Sequence, residues 1–172
     1  MKIRLVKLTD EYKPQLDDMM SEWLSLETDF SPYAIRKNDY RDFAYYRDHL
    51  ERKTEENGLT PNSVYFCLDT ERNIFVGAVD IRHYLNDRLL FTGGHIGDGV
   101  RPSERGKGYA TAMIALALEK CRELGIGRVL MTCNTDNPAS ARTILKNGGV
   151  LENEVINEDG EPEQRYWIDL GK

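Results

Sequence analysis

The chain has 172 residues, the size of one ordinary domain and long enough to bury a core without disulfides or metal. With 23 basic against 29 acidic residues its formal charge is −6, which argues against a general nucleic-acid surface, because neutralising phosphates takes a broad basic face. The N-terminus MKIRLVKLTDEYK has no apolar run long enough for a signal peptide, and no segment approaches the roughly 20 apolar residues of a membrane span, so the expectation is a soluble, cytoplasmic protein.

In chain order, KIRLVKL alternates as a first strand, and DEYKPQLDDMMSEWLSL carries apolar residues at the spacing of an amphipathic helix. After the loop ETDFSPYAIRKN, the stretch DYRDFAYYRDHLERKTEE reads as a second helix, with Tyr40, Phe43, Tyr46 and Leu50 stepping by three and four until GLTPNS ends it. VYFCLDT and IFVGAVDIRHYL are two β-rich runs around the turn ERN, and FTGGHIGDGV is a third. Gly93, Gly94, Gly97 and Gly99 weaken that third strand and mark either a bulge or a place where a ligand comes close to the backbone.

RPSERGKGYATAM, residues 101–113, then packs three basic side chains and two glycines just before the helix YATAMIALALEKCREL. The first N–H groups of a helix lack internal partners and carry the positive end of its dipole, so phosphate is the natural guest of this turn. GRVLMTCN follows as a buried strand. The next helix, NPASARTILKNGG, has Asn137 as N-cap, Pro138 at its first position and Gly148 or Gly149 for a left-handed C-cap. VLENEVI and QRYWIDL flank NEDG, where Asp159-Gly160 signals a hairpin. The element order is β-α-α-β-β-β-α-β-α-β-β.

Cys67, Cys121 and Cys133 are widely spaced, odd in number and flanked by apolar residues, the pattern of reduced buried thiols. His49, His83 and His95 are scattered, and without a Cys-x-x-Cys or His-x-x-x-His pair a metal site has little support.

The phosphate-binding motif is neither of two familiar ones. Gly106-Lys107-Gly108 lacks the spacing and the hydroxyl of a Walker loop, and three strands already precede it, which a Rossmann fingerprint does not allow. Arg105-Gly106-Lys107-Gly108-Tyr109-Ala110 instead resembles the Q/R-x-x-G-x-G/A signature of the GNAT N-acetyltransferase superfamily. GHIGDGVRPSERGKGYA is similar to that family's strand and turn, and VLMTCNTDNPASARTILKNGGV to its next strand and N-x-x-S/A helix, so the likeness covers residues 74–170.

The resemblance implies an α/β GNAT fold over residues 1–172 as one domain: a mixed central β-sheet with splayed central strands and helices on both faces. It implies acetyl-CoA as co-substrate, no metal, and direct attack of a bound amine on the thioester. Residue by residue, it implies that the backbone amides of Gly106, Lys107, Gly108, Tyr109, Ala110 and Thr111 bind the pyrophosphate, with Arg101, Arg105 and Lys107 adding charge. The strand end from Asp98 to Val100 would pair with the pantetheine arm, and a backbone N–H near Val100 would polarise the thioester carbonyl. Asn137 would touch the cofactor, a role compatible with capping its helix.

One departure stands out: seven residues after the asparagine, where many members carry a tyrosine that protonates the leaving thiolate, this chain has Ile144. The N-x-x-S form is similar to the branch of ribosomal-protein N-terminal acetyltransferases, which makes Ser140 the candidate general acid, against an ordinary polar role in the helix's first turn. Asp98 and His95 are weaker candidates for acid–base work, and alternation along a strand sends them to opposite faces. Either of them, or water, would serve as base.

The acceptor expected from the resemblance is a small-molecule amine or a peptide N-terminus, with no nucleic acid and no membrane as partner; a homodimer stays open. Specificity is expected in ETDFSPYAIRKNDYRDFAYY and in the acidic hairpin ENEVINEDGEPEQ, although helix packing and a solvated turn explain the same residues. The alternative to an enzyme is a non-catalytic acyl-CoA-binding or sensing module, suggested by Ile144 and by the lack of an obvious base.

Overall fold

In the computed structural model, which describes residues 1–171, the strand-like runs pair into two antiparallel sheets. Strands β1 (Ile3–Val6), β2 (Asn62–Asp69), β3 (Ile74–Arg82) and β4 (Ile96–Val100) are neighbours in chain order in the first. Strands β5 (Arg128–Asn134), β6 (Val150–Ile156) and β7 (Pro162–Asp169) form the second, with β7 in the middle. The β6–β7 hairpin closes at the expected place, with Gly160 in the left-handed conformation at φ +79°.

Helix α1 (Lys13–Leu26) turns Leu16, Met19, Met20 and Trp23 inward, where they pack with Phe66 and Phe75 against one face of the first sheet. Helices α2 (Tyr33–Arg36), α3 (Phe43–Asp48) and α4 (Asp87–Phe91) are short, whereas α5 (Tyr109–Glu123) is long and α6 (Pro138–Lys146) intermediate. Met113, Ile114, Ala117 and Cys121 of α5 share the second apolar layer with Val76, Val79, Val129 and Met131. Helices therefore cover β2 and β3 on both sides, and this is why those strands read as near-continuous apolar runs rather than alternating ones. All three cysteines are buried and free.

Two sequence expectations are corrected here. The second helix, expected over residues 39–56, is confined to α3, because the apolar residues that gave it its period are anchored individually: the buried Tyr46 donates its hydroxyl to Ile35 O at 2.7 Å, and Leu50 is buried outside any helix. After it the chain is held by strand β2: Arg52 N donates to Asn62 Oδ1 and Val64 N to Glu51 Oε1. The third strand, expected over 91–100, begins only at Ile96. Ahead of it lies α4, capped by Asn86, whose Oδ1 accepts from Leu89 N, and then Gly93 and Gly94 at φ +97° and +64°, which reverse the chain.

The glycines of β4 answer to a close approach, and the approaching partner is the chain's own backbone. A Cβ added to Gly99 would fall on Ser31 O, with Trp23 against its other side, and one added to Gly77 would fall on Gly99 O. Gly97 is less confined, since the nearest atom to its added Cβ is the mobile end of Arg82 at 3.3 Å.

The two sheets meet where β4 begins. A single bridge joins Gly94 to Met131, His95 N donates to Leu130 O at 2.8 Å, and Leu130 N donates to His95 Nδ1 at 3.0 Å. Beyond this junction β4 and β5 share no ladder, which is the expected splay.

This packing makes a stability prediction. Gly99→Ala is expected to cost at least about 2 kcal/mol, because the 31–32 loop must move, whereas Gly97→Ala stays within about 1 kcal/mol. Urea unfolding of both variants measures the difference, and equal costs would contradict the Ser31 contact.

Candidate active site

The turn after β4 is built as an anion cradle. A single 3-10 turn, Pro102–Glu104, leads to Gly106 at φ +74° and Gly108 at φ +89°, the latter being the N-cap of α5. Outside glycine these angles are costly, which explains both residues. No backbone N–H from Gly106 to Thr111 has an acceptor among the described residues; the first satisfied amide is Ala112 N, which donates to Gly108 O. The space in front is open: a Cβ on Gly106 would meet nothing within 4 Å, and one on Gly108 only the Met1 methyl at 3.7 Å. Six consecutive unpartnered amides at the positive end of a fifteen-residue helix suit a pyrophosphate.

The basic side chains of this stretch are bound up within the protein. Arg101 is only 5% exposed and turns toward α1, donating to Asp18 Oδ2 at 2.6 Å and to Glu22, and also to Phe75 O. The expected contribution of Arg101 to the cradle is thereby corrected: with two carboxylates to satisfy it, its charge is used to fasten the turn to α1. Arg105 grips Glu27 with both terminal nitrogens, at 2.6 and 2.8 Å, and its Nε donates to Val100 O. Lys107 reaches Glu104 at 3.2 Å, and Glu104 is also held by Arg72 at 3.0 and 2.8 Å. Tyr109 points inward and donates its hydroxyl to Asp69 Oδ2 at 2.6 Å; that bond, with those from Arg72 and Glu71, pulls the Asp69 carboxyl down to about 2.

The β3–β4 register decides which way the strand's polar groups face. Arg101 N donates to Val76 O and Arg82 N to His95 O, so the residues bonded to β3 are 95, 97, 99 and 101. Ile96, Asp98 and Val100 direct their N–H and C=O groups the other way, into the gap toward β5. Val100 O is taken by Arg105 Nε, and Val100 N–H faces a gap with no opposing strand.

Ser140, Asp98 and Cys133 come together at this gap from α6, β4 and β5. Asn137 Oδ1 caps α6 by accepting from Ser140 N at 3.1 Å, which fixes the serine in the first turn. The Cys133 thiol donates to Gln164 Oε1 at 4.0 Å; burial raises its pKa, with Ser140 acting against this and the carboxylates of Glu163 and Asp98 adding to it. Cys133 is therefore a lining residue that the sequence alone presents as a small apolar one. Burial also pushes the Asp98 carboxyl up to about 6.

His95 lies apart from this group. The residue is 6% exposed, its Nδ1 accepts from Leu130 N, and burial together with Arg82 lowers its pKa to about 4. Ile144, on the Ser140 face of α6, is fully buried and packs on Gly149.

A cavity of about 560 Å³ opens beside the β4–β5 junction. The two segments expected to set specificity do meet there, Tyr33 and Ala34 from one and Asp159 and Glu163 from the other. Its polar floor, Arg52, Thr60, Asp80 and Arg82, carried no signal in the sequence, since each residue looks like an ordinary member of a strand or loop. The aromatic cluster has a packing role: Tyr46 is buried, and Tyr45 stacks on His49. Among the described residues no three His, Cys, Asp or Glu side chains are grouped to hold a metal ion, and no helix is long and apolar enough to cross a membrane.

Asp98 makes the pH behaviour testable. Its folded pKa, near 6, lies above the ordinary carboxylate value near 3.9, so its contribution to stability is complete below about pH 4 and is lost as pH rises through 6. Asp98→Asn is expected to stabilise the protein at pH 8 by up to roughly 3 kcal/mol and to have no effect below about pH 4. Unfolding free energies at the two pH values check this.

The chain matches the family model described as "Acetyltransferase (GNAT) domain" over residues 2–150. Its fold is shared with a chimera built on the spermidine N-acetyltransferase of Vibrio cholerae, at 16% identity and a TM-score of 0.66 over 99% of this chain and 96% of that one. It is shared equally with a GNAT-family acetyltransferase from Bacillus anthracis, at 17% identity and a TM-score of 0.66 over 99% and 96%. No curated protein sequence matches it. Identities this low speak for the fold and not for the acceptor. The family match, however, runs through the splayed strands and the amide turn alike, and by it the chain belongs to the GNAT acetyltransferases, a family that uses acetyl-CoA as co-substrate.

Proposed function

We propose that the protein is an N-acetyltransferase, a single domain over residues 1–172 that moves the acetyl group of acetyl-CoA to a primary amine by direct attack in a ternary complex. The observation that carries this reading is the free backbone edge: six open amides in the cradle and, one strand upstream, a Val100 N–H aimed into the β4–β5 gap. The amides of Gly106, Lys107, Gly108, Tyr109, Ala110 and Thr111 hold the pyrophosphate. Arg105 and Lys107, already paired with carboxylates, shape the turn and add little net charge. Asn137 caps α6, the helix that carries Ser140, and would touch the cofactor from there.

In the reaction the neutral amine attacks the thioester carbon, negative charge develops on the carbonyl oxygen, and Val100 N–H donates to it. The C–S bond then breaks. Ser140 gives its proton to the departing thiolate and is reprotonated from solvent, while the proton of the new amide nitrogen leaves through water or Asp98. His95 has no part, because its one acceptor nitrogen is bonded to Leu130 N. The amine's own basicity sets how much help is needed: an amine of pKa about 10.4 is neutral about once in ~2,500 at pH 7, an α-amino group near 8 roughly once in ten.

A covalent acetyl-cysteine is not part of this scheme. Burial pushes the Cys67 and Cys121 thiols up to about 12 and raises that of Cys133 as well, so none is a ready thiolate. The second reading, a non-catalytic acyl-CoA-binding module, is favoured by Ile144 standing where a tyrosine acid is usual. Proximity and an oxyanion donor supply most of the rate in such a reaction, so the loss of one acid does not by itself abolish it.

Free CoA released from acetyl-CoA in the presence of a panel of amines distinguishes the two readings: turnover with some amine is expected, and binding without turnover supports the second. Gly108→Val is expected to abolish acetyl-CoA binding in calorimetry, because a β-branched side chain is strained at φ +89° and projects in front of the cradle; circular dichroism of the variant separates loss of the turn from loss of the fold. Ser140→Ala is expected to lower kcat by about 10²- to 10⁴-fold with acetyl-CoA affinity nearly unchanged. A loss below about threefold would assign the thiolate's proton to water instead.

A further inference from the structure

We propose that the acceptor is a small amine that also carries an anionic group, a carboxylate or a phosphoryl oxyanion, which seats on Arg52 and Arg82 at the floor of the cavity beside the β4–β5 junction. The inference rests on the acetyltransferase reading and adds the class of amine to it.

Arg82 ends β3 with a side chain only 18% exposed. Its Nη1 donates to Gly93 O and Gly94 O at 3.2 and 3.3 Å, and its Nε lies 3.5 Å from Asp80 Oδ2, but its Nη2 has no hydrogen-bond acceptor among the described residues. Arg52 donates its Nε to Thr60 O at 3.1 Å, and neither of its terminal nitrogens has an acidic partner among the described residues. Thr60, whose carbonyl takes that bond, is completely buried and has a hydroxyl with no hydrogen-bond partner among the described residues. Two guanidinium groups and one hydroxyl therefore offer donors to the same small space. An arginine donates to a carboxylate or phosphoryl group through paired, charge-assisted bonds, and that is the ligand chemistry this floor lacks.

The acids nearby do not cancel this charge. Asp80 is one carboxylate against two guanidinium groups, and it is already engaged by Asn62 Nδ2 at 2.7 Å. Arg88 at the rim lies 3.8 Å from Glu158, with both side chains largely exposed. The net pKa shifts are both downward: burial lowers Arg82 first, Asp80 opposes this and Arg52 and Arg88 add to it, and Lys37 is lowered by burial and then by Arg52 against the pull of Asp80 and Glu56.

Glu163 supplies the opposite pole. It accepts from Thr132 Oγ1 at 2.6 Å, and Thr132 Oγ1 in turn accepts from Gly93 N, so this carboxylate stands at the junction of β4 and β5. Asp159, on the hairpin turn, lines the same side. An amine of the proposed kind spans these poles, its nitrogen toward Glu163 and the gap, its anion toward Arg52 and Arg82. A polyamine in the same cavity would bring a second ammonium against two arginines.

The test compares an α-amino acid with its own amide, and 2-aminoethylphosphonate with 2-aminoethanol, which carries no anionic group, in the CoA-release assay; the two pairs distinguish carboxylate from phosphoryl recognition. Spermidine and a short peptide with a free N-terminus complete the panel. In at least one pair the anion-bearing amine is expected to exceed its anion-free counterpart in kcat/KM by about 10- to 100-fold. Arg52→Gln, at a partly exposed position, is expected to bring that ratio close to one through KM, with the affinity for acetyl-CoA retained in calorimetry. Equal use of anion-bearing and anion-free amines, a preference for spermidine or the peptide, or an Arg52→Gln ratio equal to that of the unsubstituted protein would each overturn the inference and leave the acetyltransferase reading standing. Failure to bind acetyl-CoA would remove that reading as well.

Discussion

The separation of β4 from β5 is the constraint on which the rest of this structure depends. A buried strand ordinarily has both edges bonded, and an unpaired backbone group away from water costs about as much as a lost hydrogen bond. β4 is bonded to β3 along its full length, but among the described residues its hydrogen bonds to the second sheet lie only at its start, through Gly94, His95 and Leu130. The open edge that results is the one place where Val100 and Asp98 keep backbone groups for something other than the fold. His95, expected to be a weak catalytic candidate, is what makes the separation orderly: it bonds Leu130 through both its backbone and its ring and so pins the point from which the strands diverge.

Close backbone packing on the other face of β4 complements this opening. Gly99 lets the Ser31 carbonyl and Trp23 lie directly on the strand, so the strand is braced from the α1 side while its edge toward β5 is left free. The turn that follows is braced in the same direction by charge. Arg101 on Asp18 and Glu22, and Arg105 on Glu27, tie it to α1, and Arg72 with Tyr109 and Asp69 ties the start of α5 to the end of β2. Arg101 itself is buried, although Asp18 is exposed and Glu22 only partly covered, so removal of both carboxylates would leave a buried charge uncompensated and these pairs are more consequential than surface ones. They hold six amides in a ready geometry before any anion arrives, which reduces the ordering that binding must otherwise impose.

The charge distribution is the reverse of what a basic motif next to a phosphate site suggests. The arginines and lysine of the turn are spent on structure, while the cationic side chains with unfilled bonding capacity, Arg52 and Arg82, lie in the cavity beside the junction. Recognition of one anion by backbone dipoles and of another by guanidinium groups would let a single strand, β4, lie between two differently built sites. The protein's net negative charge is compatible with both, because each site is local.

Local chemistry is what the sequence determined by itself. The turn residues Gly106 and Gly108 ahead of a helical period, Asn137-Pro138 at the start of α6 and Asp159-Gly160 in the β6–β7 hairpin each act within a few residues of backbone, and each is found where the sequence places it. The family signature is legible for the same reason. Tertiary structure alone decided the length of α3, where Tyr46 is held by the distant Ile35 carbonyl, and the true start of β4, where two left-handed glycines reverse the chain. It also decided that Arg101 faces α1, that Asp98, Cys133 and Ser140 converge, and that Arg52 and Arg82 share a floor 30 positions apart through the pairing of β2 with β3. Backbone preference is a property of a few neighbouring residues, whereas the partner of a charge or the depth of a carboxyl depends on which distant segment crosses it, and no local pattern carries that information.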